Sequence, residues 1–168
     1  MKSSLYILLA GAILCTSFTC KKEEKNVPQI HNAAAKTDRD AIVEYAQQYM
    51  GTPYLYAGND PKKGFDCSGF VSYVFKHFNV DLPRSSGGYK NIGTKLKPED
   101  FKVGDILVFY GYKDQTIIGH LGIICEANGM ESKFIHASSG KVNSVTITSL
   151  ATEHYTKRFY KCIDVLSK

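Results

Sequence analysis

The sequence predicts one α+β domain, with N-terminal helices packed on a C-terminal antiparallel sheet of about five strands. Three observations carry this. Two segments with helical apolar spacing come first, and five short runs rich in Val, Ile and Phe follow them, separated by Gly, Asn and Lys turns. Helices first and strands after is the α+β order, with the sheet covered by helices on one side. The 168 residues are 43% apolar and 22% charged, ordinary globular usage that excludes wholesale disorder. A chain of this size buries about two thirds of its unfolded surface, enough for a real core, and it is too short for a second enzyme domain. Lys and Arg number 21 against 16 Asp and Glu, a formal +5. The excess is scattered without a basic stripe, which argues against a nucleic-acid partner.

Before the domain lies a targeting pattern. Lys2 is followed by an apolar run over residues 5–14, ten residues long. That run is too short to span a bilayer, which takes about 20 residues, and it suits a signal-peptide core. Ser17-Phe18-Thr19-Cys20, followed by the charged run Lys21-Lys22-Glu23-Glu24-Lys25, resembles a bacterial lipoprotein signal. In such signals the Cys, here Cys20, is acylated and becomes the first residue of the mature chain. Cys15 also ends an apolar stretch but has no charge after it. Residues 21–36 have no apolar period and read as a tether. The expected division is a signal at 1–19, a flexible tether at 20–36 and the domain at 37–168. It implies a cell-envelope protein lipid-anchored to a membrane, the outer membrane being the expected one.

Within the domain, Thr37-Asp38-Arg39-Asp40 is a helix start. Ile42, Ala46, Tyr49 and Met50 continue at helical spacing until Gly51 and Pro53 stop the helix. A turn-rich stretch over 58–64 leads to a second helix beginning at Asp66, with Phe70, Val71, Val74, Phe75 and Phe78 as its buried stripe. It is expected to end at Asn79 or Asp81, before Pro83. Residues 85–91 suit one short helical turn. Strands are expected over 105–110, 117–125, 133–137, 141–148 and 158–166.

The sharpest chemical feature is Gly64-Phe65-Asp66-Cys67-Ser68-Gly69-Phe70. A Cys in the first turn of a helix meets unpaired N–H groups and the positive end of the dipole, which favour the thiolate. Asp66 can cap the helix, but its charge opposes ionisation, so a cationic partner is needed. Of the five histidines, His120 and His136 stand in β runs on either side of the turn signal Ala127-Asn128-Gly129. A two-residue Asn-Gly turn would set His120 opposite Ala137. A three-residue loop with Gly129 left-handed would set it directly opposite His136, and that register is the expected one because it puts two imidazoles side by side. Cys125 and Cys162 lie in strand-like runs and read as core thiols.

Six motifs carry a resemblance that covers roughly residues 51–166. They are Gly51-Thr52-Pro53-Tyr54-Leu55-Tyr56-Ala57-Gly58, Phe65-Asp66-Cys67-Ser68-Gly69-Phe70, Leu82-Pro83-Arg84-Ser85-Ser86, Val103-Gly104-Asp105-Ile106-Leu107-Val108-Phe109, Gly119-His120-Leu121-Gly122-Ile123 and Phe134-Ile135-His136-Ala137. In order and spacing they resemble the NlpC-type cell-wall cysteine peptidases. The resemblance implies a papain-like fold and hydrolysis of peptidoglycan stem peptides, usually between γ-D-glutamate and a diamino acid such as meso-diaminopimelate. It carries the nucleophile onto Cys67, the base onto His120 and the third polar residue onto His136, a Cys-His-His triad. It places Tyr54 beside the nucleophile, where its hydroxyl and the Cys67 N–H can form an oxyanion hole. Arg84 and nearby hydroxyls such as Ser85 can hold a substrate carboxylate, although Arg84 reads equally as a structural residue after Pro83. Ala57 departs from the family's usual Gly, and the loop over 110–116 looks private to this chain. No cofactor is expected, and the expected state is a monomer acting on peptidoglycan peptides. Three other classes use the same residues: an amidase or acyltransferase, a non-catalytic cell-surface binding protein, and a zinc site built from Cys67, His120 and His136.

Overall fold

The computed structural model describes residues 38–167. The expected signal and tether, with Cys15, Cys20 and His31, lie outside the described residues. Helix α1 spans Asp38–Gln47 and buries Ile42, Val43 and Ala46. It stops short of Met50 because its end tightens: the N–H groups of Gln48, Tyr49 and Met50 each bond a carbonyl three residues back, and Gly51 then turns left-handed at φ 80°. Helix α2 spans Cys67–His77 and buries the expected stripe apart from Phe78, which caps it. Between the helices, β1 (Asn59–Asp60) and β2 (Gly64–Phe65) form a two-stranded ribbon. The ribbon hands the chain to α2 through Asp66 N–H, which donates to the Gly58 carbonyl at 2.9 Å.

The remaining strands are β3 (Thr94–Leu96), β4 (Ile106–Tyr110), β5 (Ile118–Glu126), β6 (Lys133–Ala137), β7 (Val145–Ser149) and β8 (Phe159–Asp164). They form one antiparallel sheet of six strands in the order β3-β8-β4-β5-β6-β7. The sixth is the edge strand β3, whose Thr-Lys-Leu is too short and polar to announce itself. β7 begins later than expected because residues 140–143 form a turn, with Asn143 N–H on the Gly140 carbonyl and Asn143 at φ 49°.

Alternation sends each strand's side chains to two faces, and both faces are buried. On one, Ile106, Val108, Leu121, Ile123, Ile135 and Val145 pack against α1 and α2. On the other, Leu107, Phe109, Ile124 and Phe134 pack with Phe101, Leu150 and Tyr155, the last from the short helix α3 (Glu153–Thr156). This second layer explains why β4 reads as an uninterrupted apolar run. Arg39 ties α1 to the sheet, reaching Asp105 on the approach to β4 at 2.7 Å and Asp164 at the end of β8 at 2.8 Å. Among the described residues, no helix is long and apolar enough to cross a membrane.

Candidate active site

Cys67 is the first residue of α2, and Asp66 is its N-cap: the carboxylate Oδ1 accepts from Gly69 N–H at 2.6 Å. Gly69 has to be glycine, since a Cβ there would stand 2.0 Å from the Gly58 carbonyl oxygen. That approach is what seats the thiol-bearing turn against the ribbon. The thiol is 8% exposed and lies against the backbone on both sides of His120. Its Sγ is 3.9 Å from the Gly119 carbonyl oxygen, and the Leu121 N–H reaches it from the other side.

The electrostatics agree that the helix terminus alone does not suffice to ionise the thiol, and burial adds to the opposition expected from Asp66. Burial and the neighbouring Asp66 charge push it up to about 11, against the opposing pull of the N–H groups of Leu121, Ser68 and Cys67. His120 is shifted the other way, well below its ordinary value, by burial first and then by the nearness of the basic groups His136, Arg158 and His154. Both shifts favour the uncharged forms, thiol and imidazole.

The histidines meet: His120 Nε2 and His136 Nδ1 are 2.9 Å apart, with the rings nearly perpendicular at 89°. They do not meet by facing each other across the ladder. Ile123 pairs with Ile135 and Ile124 with Phe134, which carries His136 opposite Gly122 and leaves His120 on the diagonal. The connection is longer than three residues because Ser132 closes it, donating to the Gly129 carbonyl and accepting from Asn128 N–H. A two-residue slip keeps both rings on one face, whereas a one-residue slip would have separated them. Gly129 is left-handed, at φ 52°. Gly122 supplies the room for the diagonal, since a Cβ there would come within 2.3 Å of the Phe134 ring and 3.3 Å of His136 Cβ.

Beyond His136, its Nε2 stands 2.9 Å from the Thr148 hydroxyl on β7. Burial holds His136 down to about 3, and Phe109, Phe134 and Tyr155 wall in the two rings. Thr148 and Tyr155 were not legible as site residues, because a Thr in a β-rich run and a Tyr in a polar turn carry no local signal.

Tyr54, Cys67, Arg84, Ser85 and Gly119 line a cavity of about 420 Å³. Burial first, and then the Cys67 and Asp66 charges, raise the Tyr54 pKa, so its hydroxyl keeps its proton. Arg84 is committed within the protein. It grips both Asp66 oxygens at 3.0 Å and reaches the Gly58 carbonyl at 3.2 Å, which supports its structural reading and partly cancels the charge that opposes thiolate formation. Ser85 is exposed at the rim. Cys67, Cys125 and Cys162 are all free thiols. Among the described residues no three His, Cys, Asp or Glu side chains converge as metal ligands.

A thiol on the first turn of a helix, packed against a sheet that carries paired imidazoles, defines a papain-like α+β domain. The chain belongs to the NlpC/P60 family, whose pattern matches residues 51–164. It is 36% identical over 118 residues to a gamma-DL-glutamyl hydrolase of Bacillus subtilis, covering 70% of this chain and 27% of that protein. It is 30% identical over 156 residues to the probable endopeptidase NlpC of Escherichia coli, covering 92% of this chain and 95% of that one. A crystal structure of an NlpC/P60 family protein from Bacillus cereus superposes with a TM-score of 0.68 at 25% identity, over 79% of this chain and 41% of that one. The chain thus spans about a quarter of one curated relative and nearly all of another.

Proposed function

We propose that the domain is a cysteine endopeptidase that hydrolyses peptidoglycan stem peptides at the bond between γ-D-glutamate and a diamino acid. Cys67 is the nucleophile, His120 the base and His136 the residue that orients it. The observation that carries this reading is the thiol lying against the backbone on both sides of His120, whose Nε2 is held by His136. The family membership and the names of the relatives support the substrate class.

On this reading the hydrogen-bond chain implies a proton inventory. For His120 to act as a base through Nδ1, its Nε2 must carry the proton and donate to His136 Nδ1. His136 then carries its proton on Nε2 and donates to the Thr148 hydroxyl. Because both shifts favour the uncharged thiol and imidazole, this mechanism passes the Sγ proton to His120 Nδ1 as the C–S bond forms. The tetrahedral oxyanion is held by the Cys67 N–H and the Tyr54 hydroxyl, each donor of this kind being worth about 3 kcal/mol. His120 then returns the proton to the leaving amine as the C–N bond breaks. Water, deprotonated by His120, hydrolyses the thioester and regenerates the thiol.

The lipid anchor at Cys20 and the cell-envelope location belong to the same proposal. Fatty-acid labelling lost in Cys20→Ser tests that part. Digesting purified peptidoglycan and weighing the fragments tests the reaction. New γ-D-glutamyl carboxyl ends and diamino acid amino ends are expected with the wild type and absent with Cys67→Ala. Intact wall, or equal digestion by both proteins, overturns the reading.

A further inference from the structure

On the other side of Gly119 a second cavity opens, about 290 Å³, lined among others by His120, Tyr112, Ser139, His154, Tyr155 and Arg158. Its distinguishing feature is Arg158. Arg158 as a whole residue is 7% exposed, yet among the described residues no carboxylate pairs with it. A buried cation without a counter-ion is expensive, and an anion entering the cavity would relieve that cost. Arg158 is also held in place. Its Nε donates to the Tyr110 carbonyl at 3.0 Å, its Nη1 donates to His154 Nε2, and the guanidinium lies near the Tyr112 and Tyr155 rings. Accepting that bond requires a neutral His154, in keeping with the lowering of its pKa by burial and by Arg158. Two of the five guanidinium N–H donors are engaged by the protein. The other three have no acceptor among the hydrogen bonds of the described residues, and no acidic residue lines this cavity; Glu153, on the adjoining cavity that shares Arg158, is paired with Lys157.

The chemistry of the proposed reaction says which part of the substrate comes here. The acyl half occupies the cavity that holds Tyr54 and Cys67. The leaving amine must receive its proton from His120, and His120 lines the second cavity. We infer that this cavity is the leaving-group subsite, and that Arg158 binds a carboxylate carried by the residue released with the new amine. The inference rests on the peptidase reading above and adds to it a preference for a leaving amino acid with a free carboxylate over one whose carboxyl is amidated. A guanidinium–carboxylate pair formed inside a cavity is charge-assisted and loses most of its strength when the carboxylate becomes a neutral amide.

The test compares two γ-D-glutamyl–diamino acid peptides that differ only in a carboxylate or a carboxamide on the leaving residue. The wild type should show a kcat/KM at least about tenfold higher for the carboxylate. Arg158→Gln should lose about tenfold more on the carboxylate peptide than on the amide, while Arg158→Lys keeps part of the preference. Since Arg158 also bonds the main chain, Ser139→Asp at the exposed rim provides a variant that leaves that contact alone. It sets an acid in the same cavity and should collapse the preference with an unchanged Tm. Equal kcat/KM of the wild type on both peptides, or equal losses on both in Arg158→Gln, overturns the subsite and leaves the peptidase reading standing. Calorimetric binding of meso-diaminopimelate and its monoamide to Cys67→Ala decides the subsite without turnover. Carboxylate-dependent binding lost on Arg158→Gln supports it, and absence of such binding overturns it. A wild type that cleaves neither peptide sinks the peptidase reading, and the binding result still decides the subsite.

Discussion

His136 is held at both ring nitrogens, by His120 on one side and Thr148 on the other, so its proposed work is orientation. An amide side chain can reproduce the bond toward His120. His136→Asn should therefore keep measurable kcat/KM, whereas His120→Asn should lose nearly all of it, there being no base left. Thr148→Val removes a bond of ordinary strength, about 0.5–1.5 kcal/mol. It should slow kcat several-fold and shift the acid limb of the pH–rate profile, with Thr148→Ser restoring both. Equal, complete loss in both His variants would show that His136 does more than orient. The thiols separate in the same way. Cys67→Ala should abolish hydrolysis with little change in Tm. Cys162→Ala, at a fully buried position, should lower Tm and spare activity. An inactive Cys162→Ala with an active Cys67→Ala would move the nucleophile. The identities of Cys67, His120 and His136 as the groups to watch were legible because each stands in a distinctive local pattern. Thr148, His154 and Arg158 were not, because each gains its place only through the fold, Thr148 when β7 pairs with β6, and His154 and Arg158 when α3 and the approach to β8 are brought near His120.

The β5–β6 hairpin shows how far an element can be read from its turn. Parity was legible, since an even slip returns both rings to the same face, and so was the left-handed Gly129. Register was not, because Ser132 bonds back into the loop and lengthens it beyond the turn signal. The diagonal pairing makes Gly122 the sensitive position. Gly122→Ala drives a methyl into the Phe134 ring and toward His136, and overpacking of this sort costs about 1–3 kcal/mol. It should lower both the unfolding midpoint and kcat/KM, and full activity at a normal Tm would show that the diagonal is not needed. Gly129→Val places a β-branched residue at φ 52° and should lower stability through backbone strain. The start of β5 is the other irregular point: β4 and β5 slip register between Phe109 and Tyr110. Ile118 and Leu121 then both face the helices while His120 turns to the opposite layer.

For the molecule as a whole, the order of elements and the helix-covered face were legible from apolar spacing. The second buried face was not, since it is assembled from Phe101, Leu150 and Tyr155 in segments without periodicity. That face holds the two histidines in their neutral form and gives the fold a pH dependence. Their folded pKa values lie below the unfolded value of about 6.5, so the unfolded chain takes up protons first on acidification. Their neutral burial is therefore tolerated fully above about pH 6.5 and destabilises progressively as pH falls toward the folded value, about 3 for His136. For one such group the loss by pH 5 is on the order of 2 kcal/mol. Urea unfolding at pH 8 and pH 5 should show this drop, reduced in His136→Asn. A stability unchanged between the two pH values would contradict the buried neutral pair.

The raised pKa of the Cys67 thiol also bears on how the protein ages. Peroxide, disulfides and alkylating agents attack the thiolate. With the thiol pushed up to about 11, only on the order of one molecule in ten thousand is ionised at pH 7. If Cys67 is the nucleophile proposed above, it is stored in a form that oxidants barely touch and becomes reactive as His120 takes its proton in the bound complex. Surroundings that would oxidise a low-pKa catalytic cysteine to sulfenic acid should leave this one intact. Inactivation by hydrogen peroxide should accordingly be slower than oxidation of free cysteine at the same pH and should accelerate steadily toward alkaline pH, while a plateau near neutrality would reveal a thiolate already present at rest.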